Sequence, residues 1–193
     1  APDWLTFLTH MNPAFRKLHR NLSPWLIVPL LVTLSTGIGY RVGKAWFGLD
    51  GQIANLLMEI HTGEWLGEIG SMVYLAVTGL GLLAIIATGA TLLLSKISKI
   101  RLRRVHRIFA VVMMVPLAAS ATTGLAYKFG EQWLRLPDET LSLLMSIHQG
   151  SWLGKGFSPF YVLFVGLGLL VMMGTGLRLA LSMRKKSRLP GRA

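Results

Sequence analysis

The sequence predicts an all-α membrane protein: four transmembrane helices built from a tandem two-helix repeat in parallel orientation, with short interfacial helices in the outer loops. Three observations carry that prediction. Hydrophobic residues make up 52% of the 193 and charged residues only 15%, with a mean hydropathy of +0.53, a balance outside the soluble globular range. Four apolar runs, near Leu22–Tyr40, Met72–Leu94, Ile108–Tyr127 and Phe160–Met183, reach the roughly 20 residues that cross a hydrocarbon core about 30 Å thick. Finally, an offset of 87 aligns Arg16–Ile97 with Arg103–Arg184 without a gap, and 33 of those 82 positions are identical.

Periodic apolar sequence alone does not match Pro29 to Pro116, Tyr40 to Tyr127, Trp46 to Trp133, Trp65 to Trp152 and Tyr74 to Tyr161. The chain therefore reads as a single membrane domain, residues 1–193, divided into repeat 1 (16–97) and repeat 2 (103–184). Each repeat contributes two spans, an even number, so both enter the membrane in the same direction. Their symmetry axis is expected along the membrane normal, as for parallel repeats.

The first apolar run follows a basic stretch and is succeeded by further spans, so no segment reads as a cleaved signal peptide. Of the 20 lysines and arginines, 15 lie at the termini or between spans two and three: Arg16, Lys17, Arg20, Lys96, Lys99, Arg101, Arg103, Arg104, Arg107, Arg178, Arg184, Lys185, Lys186, Arg188 and Arg192. The positive-inside rule makes those segments, and with them both termini, cytoplasmic. The loops between spans one and two and between three and four hold the other 5 cations and 7 of the 8 acids, and read as extracytoplasmic. Gln52–His61 is expected as an interfacial helix in the first of them. A net charge of +12 then signals orientation and attraction to anionic lipid heads; no nucleic-acid partner is expected, since no basic surface is interleaved with aromatics.

The chain has no cysteine, which excludes disulfides, thiolate zinc sites, iron–sulfur clusters and thioether-linked haem. Any metal centre must use His, Met or carboxylate. Five histidines exist, and four fall into register across the repeat: His19 with His106, and His61 with His148, the latter two inside HTGEWLG and HQGSWLG. His10 faces Ile97 in the alignment and reads as an interfacial residue of the segment around Trp4–Phe15. Within one half the two histidines stand at opposite membrane faces, ~20–25 Å apart by helical rise. A twofold axis brings each to the depth of its copy, so the expected metal ligands are His19 with His106 at one face and His61 with His148 at the other.

Two imidazoles with no thiolate or carboxylate beside them suit the axial positions of a haem iron. Zinc ordinarily takes more protein ligands, and the nearest acid, Glu59, is Ser146 in the other half. Copper with two histidines stays open, as do Met58 and Met145, three residues before the outer histidines, as alternative ligands; packing is the plainer role for them. Polar groups near the membrane interior are functional candidates.

Each span closes in Thr-Gly: Thr36-Gly37, Thr88-Gly89, Thr123-Gly124 and Thr175-Gly176. Gly37 and Gly124 lie near the level of the outer histidines, Gly89 and Gly176 near the inner ones, and missing side chains there would let a porphyrin ring approach the backbone. Close helix packing explains them equally, as it does Gly79-x-Gly81 and Gly166-x-Gly168. Arg16 and Arg103 stand one turn before the inner histidines, and guanidinium groups there suit haem propionates. For Arg20 and Arg107, positive-inside anchoring suffices.

The Leu-His-Arg opening, an apolar span ending in Thr-Gly, then His-x-Gly before a second span ending in Thr-Gly, resembles the PepSY-associated transmembrane proteins, which include bacterial inner-membrane reductases of ferric siderophores. The resemblance runs from Arg16 to about Arg184. It implies a four-helix core with two b-type haems on His19, His61, His106 and His148; the expected location is a bacterial inner (plasma) or thylakoid membrane. Family members often carry extracytoplasmic PepSY domains, whereas the loops here are too short to hold one.

The expected function is transmembrane electron transfer through two haems b, from a cytoplasmic or quinol donor to an extracytoplasmic acceptor, in a ferric- or quinone-reductase-like module. No catalytic side chain is assigned, and Asp138-Glu139, matched by Gly51-Gln52, reads as solvated. The alternative is a non-catalytic subunit of a larger respiratory or photosynthetic complex, whose outer faces bind other subunits. A histidine-based transporter is a third reading, weakened because no acid lies within a span.

Overall fold

A computed structural model describes residues 3–93 and 100–187, with side chains over 13–93 and 100–183. Lys96, Ile97, Lys99, Arg188 and Arg192 lie outside the described residues, as do the side chains of Trp4, His10, Arg184, Lys185 and Lys186. Everything described is helix or short connection. Four long helices, α1 (Asp3–Trp46), α3 (Gly67–Leu93), α4 (Arg101–Phe129) and α6 (Ser158–Ser187), alternate with two short ones, α2 (Gly51–Thr62) and α5 (Asp138–His148).

Four helical segments of 26 to 34 residues, Pro13–Trp46 in α1, Glu64–Leu93 and Arg101–Leu134, which are α3 and α4 each extended by an adjoining short helical turn, and Ser158–Met183 in α6, are long and apolar enough to cross a membrane, which makes this a multi-pass membrane protein. Each segment exceeds the apolar run read from the sequence. Once a helix is nucleated, its polar ends continue it into the interface, because every further residue adds a backbone hydrogen bond. The connecting helices α2 and α5 form where expected. Asp50 opens α2 by accepting from the Gln52 amide at 2.8 Å, while Asp138 and Glu139 fill the first turn of α5, where carboxylates oppose the helix dipole.

Packing follows a closed ring: α1 against α3, α3 against α4, α4 against α6, α6 against α1. Leu26, Leu30, Leu82, Met113, Leu117, Val165 and Leu169 meet at its centre and are buried there. Small residues permit this closeness. A Cβ on Gly81 or Gly168 would stand within 2.7 Å of Leu26 or Met113, and one on Gly79 or Gly166 within 2.6 Å of Leu125 or Ile38, the close-packing role foreseen for these glycines. Outward, Trp25, Val28, Val73, Val115 and Phe164 are exposed, as lipid-facing side chains are. Trp46, Trp65, Trp133 and Trp152 are exposed together near the connecting helices, an aromatic belt of the kind that marks a membrane interface.

Candidate functional site

Each of the four in-register histidines is held through its Nδ1. His61, at the end of α2, reaches back to α1, where the Thr33 carbonyl lies at 2.8 Å and the Thr36 hydroxyl at 3.4 Å. His148, ending α5, does the same on α4 with the Ser120 carbonyl at 2.8 Å and hydroxyl at 3.3 Å. His19, on α1, reaches across to the Thr88 hydroxyl at 3.0 Å and the Ile85 carbonyl at 3.1 Å on α3. His106, on α4, meets the Thr175 hydroxyl of α6 at 2.7 Å.

These partners fix the tautomer. A carbonyl only accepts, and the Thr88 and Thr175 hydroxyls already donate to the Ala84 and Val171 carbonyls at 2.7 Å, so they too accept from the ring. Nδ1 therefore carries the proton in all four. The lone pair sits on Nε2, at the opposite edge of each ring, the arrangement found in metal-binding histidines oriented by a second group.

The Thr-Gly pairs are the seats of these rings. A Cβ on Gly37 would lie 2.9 Å from Cε1 of His61, and one on Gly124 would lie 2.9 Å from Cε1 of His148. At Gly89 and Gly176 the same atom would come to 3.4 Å from Cε1 of His19 and of His106. By sequence, these glycines suit a porphyrin face and helix packing equally. What they border is the imidazole edge itself: at all four positions the glycine gives the ring clearance, while the motif's threonine is the close Nδ1 acceptor only for His19 and His106, and the Thr33 and Ser120 carbonyls fill that place for His61 and His148.

His61 and His148 face one another with ring centroids 6.3 Å apart and planes at 70°. Burial, with a smaller contribution from the nearby His148, pushes the His61 imidazole down to about 4 against the opposing pull of the Thr33 carbonyl. Burial likewise lowers His148, against the pull of the Ser120 carbonyl. Both rings are thus neutral at physiological pH, the form that binds metals. Two imidazoles bound through Nε2 to opposite sides of one ion, about 2 Å from each nitrogen, have ring centres about 6 Å apart, so the separation fits a shared ion. Among the described residues no three or more of His, Cys, Asp and Glu come together, and a pair of nitrogens is the donor set on offer.

A further layer, missed in the sequence reading, fixes the helices that carry these rings. Ser71 and Ser158 are fully buried; their hydroxyls donate to the carbonyls of Thr62 at 2.9 Å and Gln149 at 2.5 Å, the residues next to His61 and His148. Arg41 Nε adds a bond to Ser158 Oγ at 2.8 Å. Gly63 and Gly150, at φ 75° and 69°, turn the chain immediately after, where a side chain would also strike the rings of Tyr74 and Tyr161. The signal was present, since Ser71 and Ser158 are identical across the offset of 87, but serine in an apolar helix carries no chemistry that singles it out.

Comparison of the chain with protein-family models, curated proteins and solved structures finds no match. The functional reading rests on the geometry.

Of the other sequence candidates, Arg16 and Arg103 present exposed side chains one turn before His19 and His106, a placement equally suited to an anionic headgroup and to a propionate. Arg20 is exposed, whereas Arg107 is half-buried and donates to the Leu93 carbonyl. Met58 and Met145 are half-buried on α2 and α5. Asp138 and Glu139 are exposed.

Proposed function

We propose that this protein conducts electrons across a membrane through two b-type haems, one at each histidine level. His61 with His148 would hold one iron and His19 with His106 the other. The halves are taken as parallel repeats related by an axis along the membrane normal, with both termini cytoplasmic in a bacterial plasma or thylakoid membrane. The observation that carries this reading is the set of four imidazoles tied down by Nδ1 with Nε2 left to bind, two of them at the spacing of a shared ion. Two neutral nitrogens favour iron over magnesium or calcium, and without further ligands they suit haem better than zinc. When bound, such a group supplies one-electron chemistry. The chain's own contribution is to fix ligand orientation and, through the acceptors on Nδ1, to raise ligand basicity.

The packing between the levels supports electrons over ions. His61 is seated on Thr33, fourteen residues along α1 from His19, or ~21 Å by helical rise. Between the levels stands the apolar core of Leu26, Leu30, Met113 and their neighbours. A proton or metal ion needs polar groups along its route, whereas an electron crosses closely packed apolar side chains. The donor would be a cytoplasmic protein or a quinol, and the acceptor extracytoplasmic. The resemblance to PepSY-associated proteins agrees with the haem core, and ferric reduction is the acceptor chemistry it suggests.

A dithionite-reduced minus oxidised absorption spectrum of the purified protein tests the reading. A b-type α band with about two haems per chain is expected, and His61→Ala should lose one haem and keep the other. A spectrum without haem bands overturns it.

A further inference from the structure

Between α1 and α3, at the level of His61, an open cleft of about 450 Å³ is lined by Pro29, Leu66, Gly70, Val73, Tyr74 and Val77. That volume lies in the range of small-molecule sites. Val73 and Val77 are more than half exposed on the outer face of α3, so the cleft opens toward lipid. Its wall is apolar but for hydroxyls, and one of these is wired to the histidine. Thr33 Oγ1 donates to the Pro29 carbonyl at 2.9 Å, so it accepts from Tyr74 Oη at 2.7 Å; the Thr33 carbonyl in turn holds His61 Nδ1. Having given its proton inward, the Tyr74 oxygen keeps its lone pairs for a donor in the cleft.

The offset of 87 residues sharpens the point. Pro29, Leu66 and Tyr74 recur as Pro116, Leu153 and Tyr161, but Gly70, Val73 and Val77 are replaced by Phe157, Phe160 and Phe164. Lipid contact is served equally well by valine and phenylalanine. What differs is bulk: a glycine and two valines border the cleft in the first half, where the second half carries three phenylalanines, each more than half exposed.

We infer that this cleft binds the headgroup of a lipid-soluble quinol, whose ring hydroxyl donates to Tyr74 Oη while the apolar tail extends into the bilayer. The choice of occupant rests on the electron-transfer reading: at the outer histidine level the membrane-dissolved quinone stands in the acceptor's place, taking two electrons that originate from the cytoplasmic donor and two protons from the outer aqueous side, and the cleft holds the quinol so formed. An acyl chain has no donor for the tyrosine oxygen.

The test is photolabelling of the full-length protein in nanodiscs with an azido-substituted, decyl-tailed hydroquinone, followed by peptide mapping. Label is expected on α1 and α3 and not on α4 and α6. The pair Val73→Phe with Val77→Phe should cut it at least tenfold, and Tyr74→Phe several-fold, with melting temperature unchanged; Phe164→Val should leave it as it was. Equal labelling of both halves, labelling indifferent to the phenylalanine pair, or competition by oleate as effective as by unlabelled hydroquinone would each overturn the assignment. The haem spectrum separates the two readings. Mapped label in a protein without haem bands leaves the cleft standing and ends the haem proposal, while haem bands without mapped label do the reverse.

Discussion

Cε1 of His61 lies 2.9 Å from the place where a Cβ on Gly37 would stand, closer than carbon atoms tolerate, whereas Cε1 of His19 lies 3.4 Å from the same place on Gly89. One Thr-Gly motif thus supports the two histidines with different tolerance. Gly37→Ala and Gly124→Ala must push an imidazole off its seat and are expected to lose the haem proposed for that level, read as a fall from about two haems per chain toward one. Gly89→Ala and Gly176→Ala meet ordinary van der Waals contact and should keep both. Equal losses at the four glycines would contradict this account of the motif.

The Nδ1 acceptors make a second contrast. His19 leans on both the Thr88 hydroxyl and the Ile85 carbonyl, while among the described residues His106 is held by the Thr175 hydroxyl. Removing the acceptor of a ligating histidine commonly lowers metal affinity about 10–100-fold. Thr175→Val should therefore reach that range in haem dissociation, and Thr88→Val, with a carbonyl in reserve, should fall below it.

Much of this could be read from the sequence, and the reason is the duplication. Spans and interfacial helices follow from hydropathy and length, and the pairing of His61 with His148 follows from register, because a repeat brings equivalent residues to one depth. Which face of a helix a small or hydroxylated residue occupies was not legible. Thr36, Thr88, Ser71 and Ser158 look alike as polar insertions in apolar helices, yet three different jobs fall to them: supporting a carbonyl seat, accepting from an imidazole, and anchoring the backbone beside a histidine. The cleft beside Tyr74 was equally hidden, since glycine and valine on α3 signal lipid exposure as readily as room for a ligand.

Buried Ser71 and Ser158 allow a test independent of haem. Ser71→Ala leaves the Thr62 carbonyl without its donor, and Ser158→Ala strips both the Gln149 carbonyl and Arg41 Nε of a partner. An orphaned buried polar group costs about 1–3 kcal/mol. Thermal melts in detergent should show both variants destabilised, with Ser158→Ala the larger effect.

The His61 imidazole titrates near 4 in the fold, against about 6.5 in an unfolded chain. Between these values the unfolded chain binds a proton that the folded one refuses, so the haem-free protein should lose stability as pH falls from about 6.5 to about 4. Above that window the ring is neutral in both states and contributes nothing to the pH dependence. The full loss is on the order of 3 kcal/mol. Melting temperature against pH, compared with His61→Phe, isolates the effect; a variant whose melt falls as steeply as the parent's would assign it elsewhere.

Met113 supplies the last discrimination, between the core that joins the two levels and the levels themselves. Its side chain is 1% exposed and fills the space that Gly168 leaves open, with no hydrogen bond to any of the four histidine seats. Met113→Ala removes buried apolar volume and should cost about 2–5 kcal/mol, with partial collapse deciding where in that range it falls. Gly168→Ala attacks the same contact from the other side by overpacking, at about 1–3 kcal/mol. Both should lower the melting temperature while the haem content stays at the parent value, because the seats on Thr33, Thr88, Ser120 and Thr175 are untouched. Loss of haem in parallel with stability would mean that the core sets the histidine geometry, and that the two levels are not independently built.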